Sequence, residues 1–187
     1  DQARTKQVAD AHPVHAAGSL SELAPAEVVV TMLPNGHIVR DVYLGTGGLA
    51  SALGRGTIAV DMSSSDPAGT RVLGAELAPF GITLVDAPVS GAVPRATNAT
   101  LAIMIGGDDA AAIERVKPVL SAMGNRLFET GGLGTGHAMK ALNNFVAAAG
   151  YSAAVEALLA GRRFGLDPTR MLAIMNSSTG RNFNTEI

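Results

Sequence analysis

Lys140, Asn143 and Asn144 are the first candidates for chemistry in this 187-residue sequence. They stand at i, i+3 and i+4, so on an α-helix they project from neighbouring positions and can meet at one substrate. An amine gives or takes a proton, and a carboxamide orients a hydroxyl or carbonyl through hydrogen bonds. The flanking residues Ala138, Met139, Ala141, Leu142, Phe145 and Val146 are apolar. That pattern predicts a buried face and a lysine pKa lowered toward the range useful for proton transfer. A lone lysine on a helix is ordinarily a solvated charge, but two amides inside an apolar helix must find partners. The glycine turn Gly134-Thr135-Gly136 opens this helix, and His137 is read as a helix-start residue.

Three further segments offer polar groups to a ligand. Leu33-Pro34-Asn35, Ser63-Ser64-Ser65 and Ser90-Gly91 each follow a buried apolar run. In an open parallel sheet such loops share the edge at the strand carboxyl ends, where ligands bind. Taken singly they are ordinary turn residues. In Asp86-Ala87-Pro88-Val89-Ser90-Gly91 the proline and the small residues leave backbone free for close approach, which suits a carboxylate. Gly91 removes the Cβ and Ser90 brings a hydroxyl. Asp61 and Asp86 close two of the runs and are read as partners of nearby backbone, not as a carboxylate pair. His12, His15, His37 and His137 lack metal-ligand spacing. Arg162, Arg163 and Arg181 are surface or interface cations, with Arg181 a further candidate for a substrate carboxylate.

The elements that must hold these residues alternate. Apolar runs at Glu27–Leu33, Thr57–Met62, Ile82–Asp86 and Leu101–Gly107 read as buried strands, with a shorter one at Arg126–Glu129. Helical stretches fall at Asp1–Ala11, Ser19–Leu23, His37–Leu44, Ala68–Phe80 and Asp109–Met123, the last with Pro118 late in it. From His137 to about Phe164 nothing breaks a helix, a length too great for a crossover helix and read as a link between two domains. Thr169–Asn176 resumes helical pattern. The predicted class is α/β: a Rossmann-like, doubly wound parallel sheet lacking its first βαβ portion, then the start of an all-helical domain. The division is expected as a partial dinucleotide-binding domain over 1–133 and a partial helical substrate or dimerisation domain over 134–187.

Composition narrows the partners. A net charge of -2 with both signs scattered offers no basic stripe for nucleic acid. With no cysteine, disulfides, thiolate metal sites and cysteine nucleophiles are excluded. No run reaches the roughly 20 apolar residues of a bilayer span, and the amino terminus has no export pattern, so a soluble cytoplasmic protein without a metal is expected.

Four motifs in order resemble those of the β-hydroxyacid dehydrogenases, the family of 3-hydroxyisobutyrate dehydrogenase, tartronate semialdehyde reductase and, more distantly, 6-phosphogluconate dehydrogenase. They are Met32-Leu33-Pro34, Asp61 to Ser64, Asp86 to Gly91 with Thr100 to Gly107, and Gly134 to Asn144. The resemblance implies a hydride-transferring oxidoreductase using NAD or NADP on a small carboxylate-bearing substrate, a short β-hydroxyacid or aldehyde acid. It implies that Lys140 is the catalytic lysine, that Asn144 with Asn143 orients the substrate, and that Ser90 and Gly91 hold its carboxylate. Leu33, Pro34 and Ser64 line the nicotinamide cofactor, with Asn35 beside them, and the assembly is a homodimer or homotetramer.

The sequence departs from the family in two glycine positions. Ala92 replaces the second glycine of Ser-Gly-Gly, adding a methyl near the substrate carboxylate, and Ala99 stands where glycine usually precedes Thr-Leu. The Gly-x-Gly-x-x-Gly turn that cradles a pyrophosphate does not occur. By the resemblance both ends are therefore expected to be cut. Rival readings are a 6-phosphogluconate-type oxidative decarboxylase, an imine-reducing relative, or a non-catalytic dimerisation module. An imine reductase would replace the lysine, and a phosphosugar enzyme needs more basic residues than the single Arg95 of the Ser90–Asn98 loop.

Overall fold

The computed structural model describes residues 2–186. It divides into two compact units, Asp1–Lys140 and Ala141–Ile187.

In the first unit, β1 (Val28–Thr31), β2 (Ile58–Asp61) and β3 (Thr83–Asp86) pair in parallel in that order. Side chains alternate between faces along each strand, and the core divides accordingly. Ile58, Val60 and Val85 pack on one face against Ile113, Val116 and Leu120. Ala59 and Leu84 pack on the other against Val39, Tyr43, Leu73 and Leu77. Three helices supply those partners: α2 (Gly36–Leu44) and α4 (Pro67–Leu77) on one side, α6 (Ala110–Ser121) on the other. Burying each large aliphatic side chain stabilises by about 1.5–3 kcal/mol. Apolar layers on both faces explain why the strand sequences read as unbroken apolar runs.

The starts of α2, α4 and α6 are set by side-chain caps that take otherwise unpaired N–H groups. Asn35 accepts from the Ile38 amide at 3.0 Å, Asp66 from Gly69 at 2.6 Å, and Asp109 from Ala111 at 2.9 Å. α1 covers Gln2–Ala11, as predicted except for Asp1, which lies outside the described residues. The short α3 (Leu49–Ala52) has no counterpart in the sequence reading. The helix predicted to Phe80 ends at Leu77 and tightens into a 3-10 turn over Ala78–Phe80, where Pro79 lacks the N–H to continue it.

The doubly wound α/β class predicted from the sequence is the class adopted, with one departure. β4 (Val89–Ser90) continues β3 beyond Ala87-Pro88, and β5 (Ala102–Gly106) runs antiparallel to both. Between Ser90 and Ala102 lie only the six-residue α5 (Ala92–Thr97) and its turns, too little chain for a parallel crossover. β6 (Arg126–Gly131) then pairs in parallel with β5. Ser90 is thus a ladder residue opposite Ala102, not a loop residue.

The two alanines at the family's glycine positions are the described non-glycine residues with positive φ, each at +52°. Ala99 follows the α5 cap residue Asn98, the place where glycine ordinarily ends a helix in the left-handed region. We expect Ala99→Gly to raise stability by up to about 1 kcal/mol, the relieved strain exceeding the added chain entropy. The urea midpoint measures this, and a lowered midpoint would show the turn to be unstrained.

In the second unit, α7 (Thr135–Arg163) continues from the first, and α8 (Pro168–Asn176) follows. Asp167 caps α8 through the Arg170 amide, Met171 packs on Gly161, and Asn184 donates to the Ala147 carbonyl at 2.9 Å. Arg162 and Arg163 sit in the last turn of α7, where cations favour the helix dipole.

Candidate active site

β1, β2 and β3 end in register on one polar row, Thr31, Asp61 and Asp86, with Gly106 of β5 opposite Asp86. Asp61 is 2% and Asp86 0% exposed. Buried carboxylates are costly unless hydrogen bonds satisfy them, and both are satisfied. Asp61 accepts from Thr31 Oγ1 at 3.1 Å, from the Ser63 amide at 3.1 Å and from Ser65 Oγ at 2.8 Å.

Asp86 reaches across to the start of α7. Its two oxygens accept the Gly134 amide at 2.7 Å and the His137 amide at 2.8 Å. It occupies the place of an N-cap carboxylate, though it lies about 50 residues away in sequence. The approach requires Gly136: a methyl there would stand 2.8 Å from Asp86 Oδ2 and collide with the Met104 carbonyl.

His137 is 1% exposed. Its Nε2 lies 3.1 Å from the Ser63 carbonyl and its Nδ1 2.8 Å from Thr70 Oγ1. Asp61 and Asp86 flank the ring at 3.7 Å and 3.8 Å. His137 stands at a helix start and the two aspartates beside backbone N–H groups, as expected from the sequence. Their convergence with Thr70 is not legible in the local pattern. Aspartates ending two buried strands, an expensive location without partners, were the available signal.

Lys140 follows one turn after His137 and is half-buried. Burial lowers its amine below the ordinary 10.5, because desolvation disfavours the charged form. Further along the same helix Asn143 is half-buried and Asn144 exposed. The predicted burial of the apolar flanks needs correction. Met139, Leu142, Phe145 and Val146 are exposed, Phe145 by 71%. An apolar stripe is buried only where another element lies against it, and the described residues bring none to these side chains.

Leu33 donates its amide to Ser63 Oγ at 2.9 Å, which joins the first two predicted ligand loops. Asn35, Ser64 and Asp66 line one cleft of about 390 Å³ between α2 and α4. Pro34 and Ser64 are exposed, whereas the Asn35 carbonyl oxygen is engaged in capping α2. Ser90 and Gly91 sit at the end of β4, with the aliphatic part of Arg95 across Gly91. Among the described residues no hydrogen bond joins them to Lys140. Arg181, the further carboxylate candidate, pairs with Glu186. No cluster of metal-ligating side chains occurs among the described residues, and none of their helices is long and apolar enough to cross a membrane.

Comparison with known proteins agrees with the fold. Residues 1–132 match the family model described as the NAD binding domain of 6-phosphogluconate dehydrogenase. Residues 134–187 match the one described as NAD-binding of NADP-dependent 3-hydroxyisobutyrate dehydrogenase. The chain belongs to the β-hydroxyacid dehydrogenase family. Among β-hydroxyacid dehydrogenases, 2-(hydroxymethyl)glutarate dehydrogenase of Eubacterium barkeri is 40% identical over 87% of this chain and 54% of its own length. 3-Hydroxyisobutyrate dehydrogenase of Pseudomonas aeruginosa is 38% identical over 84% and 53%. The solved Mycobacterium tuberculosis 3-hydroxyisobutyrate dehydrogenase with L-serine superposes with a TM-score of 0.88 at 34% identity, covering 96% of this chain and 61% of that one. The chain spans about half the length of these curated β-hydroxyacid dehydrogenases.

Proposed function

We propose that the full-length protein is an NAD- or NADP-dependent dehydrogenase of a short β-hydroxyacid, of the 3-hydroxyisobutyrate or 2-hydroxy-3-oxopropionate type, with Lys140 carrying the proton. The observation supporting this most directly is a half-buried amine with a lowered pKa, one turn from a helix start held at the strand ends by Asp86. In this reading residues 1–133 form the dinucleotide-binding part and residues 134–187 the helical substrate or dimerisation part. The assembly is a homodimer or homotetramer, which light scattering of the same protein checks.

The cleft at the strand ends, lined by Asn35 and Ser64, suits the nicotinamide end of the cofactor, and these two residues would hold it together with Leu33 and the exposed Pro34, which precede Asn35 in the chain outside the cleft's lining. The phosphate-cradling glycine motif is not in this sequence, so no residue here is assigned to the pyrophosphate. The nicotinamide, when bound, supplies hydride transfer to or from the carbon bearing the substrate oxygen. Lys140 as ammonium protonates the oxygen during reduction. As neutral amine it takes the hydroxyl proton during oxidation. Asn144 and Asn143 orient that oxygen, and the Ser90 hydroxyl with the Gly91 amide holds the carboxylate, so that binding supplies the alignment.

The test is turnover by the full-length protein across 3-hydroxyisobutyrate, 2-(hydroxymethyl)glutarate, L-serine and 6-phosphogluconate, each with NAD and with NADP, and reduction of 2-hydroxy-3-oxopropionate with the two reduced cofactors. Activity confined to 6-phosphogluconate, or absent with all five, would overturn the reading. The pH profile adds a second criterion. Because burial favours the neutral amine, oxidation should rise with pH along a limb centred below 10.5. Reduction, which needs the ammonium, should fall along the same limb. A profile without that limb removes Lys140 from proton transfer.

A further inference from the structure

We propose that His137 is the positioning residue that fixes Lys140 relative to the loops after β1 and β2. The proposal rests on the reading of Lys140 as proton carrier and goes beyond it by naming what holds the amine in place.

The ring is oriented from several directions. A carbonyl oxygen can only accept, so Nε2, 3.1 Å from the Ser63 oxygen, carries the hydrogen and donates. Nδ1 meets the Thr70 hydroxyl of α4 at 2.8 Å. The backbone amide of the same residue goes to Asp86. Together these contacts fix both the height of the first turn of α7 and its rotation about the helix axis. A cap to the backbone alone would leave that rotation less constrained.

Ser63 is what gives the ring contact its significance. Fully buried, it uses its amide on Asp61, its hydroxyl oxygen on the Leu33 amide and its carbonyl on His137. A single residue therefore sets the register of the proposed nicotinamide-lining loop and, through His137, that of the helix bearing the proton carrier. Hydride and proton must meet at adjacent atoms of one substrate, so the two positions have to be referenced to each other. Helix geometry gives the scale: side-chain ends lie roughly 6 Å from the axis, so a rotation of about 10° moves an amine by about 1 Å. A misplacement of that size costs about 100-fold in rate.

The experiment compares His137→Leu with His137→Gln in the full-length protein, because a glutamine amide can still donate toward the Ser63 carbonyl. Steady-state kinetics are read together with the rate of reductive methylation of Lys140, followed by mass spectrometry without cofactor. We expect His137→Leu to lower kcat by about 100-fold with little change in KM and to alter the Lys140 methylation rate. His137→Gln should recover most of both. Unchanged kcat and methylation in His137→Leu would overturn the proposal. So would equal losses in the two variants with Lys140 methylation unaltered, the pattern of a merely structural histidine. If the wild-type protein oxidises no hydroxyacid, the proton-transfer reading fails on its own, and methylation still decides whether His137 positions the amine. Should leucine at 137 prevent folding, Thr70→Val, which removes the Nδ1 partner together with the hydroxyl's bond to the Asp66 carbonyl within α4, is expected to give a smaller loss of kcat with the same altered methylation. Wild-type values for both readouts would overturn the proposal.

Discussion

Lys140→Ala in the full-length protein should lower turnover of its hydroxyacid by about 10²–10⁴-fold, the range that a positioned general acid or base contributes. Cofactor binding, followed by nicotinamide fluorescence, should persist, because the residues proposed to line the nicotinamide lie on the loops after β1 and β2 and not on α7. The fall should appear in kcat and kcat/KM together, as expected for an interaction made in the transition state. Lys140→Arg separates charge from proton transfer. Guanidinium stays protonated at all working pH values, so it restores the cation without a usable neutral form, and oxidation should remain slow with its basic limb gone. Turnover near wild type in Lys140→Ala would mean that some other group moves the proton.

The second large effect concerns stability. Asp86→Ala should destabilise the protein by about 2–6 kcal/mol, the cost of leaving two buried backbone donors without an acceptor. Two backbone amides, Gly134 and His137, would lose their acceptor where water does not reach, and each unsatisfied buried donor costs about 1–3 kcal/mol. Asp86→Asn should be milder, since one oxygen can still accept while the amide nitrogen faces an N–H group. Urea unfolding measures both variants, with the midpoint lowered and the slope unchanged if only stability has altered. Amide exchange at Gly134 and His137 should accelerate in parallel. A loss below about 1 kcal/mol for Asp86→Ala would show that the start of α7 is held by something else. Because Lys140 sits one turn further on, Asp86→Asn should also lose activity under conditions where it remains folded.

Sequence patterning made much of this legible. The strands announced themselves because a sheet covered on both faces needs apolar residues at every position, and Ile58 to Val60 and Leu84 to Val85 satisfy that. α7 was readable because nearly thirty residues pass without a breaking signal. The grouping of Lys140, Asn143 and Asn144 followed from helix periodicity alone, and the motifs carried the family. What failed were inferences about burial and direction. The apolar flanks of α7 were expected inside and are exposed, because side-chain character cannot say whether a partner element is present. The antiparallel course of β5 depends on the length and path of the Gly91–Leu101 turn, which the strand pattern does not encode.

Local interactions within a few residues therefore determined, from the amino acids themselves, which segments are helices and strands and which polar side chains share a helical face. The tertiary structure alone decided that Asp86 accepts from the first turn of α7 and that His137 meets Ser63 and Thr70. Those groups are separated by 48 to 74 residues. They meet because parallel pairing in register brings Thr31, Asp61 and Asp86 to one buried edge, where a polar group without a partner is too costly to leave.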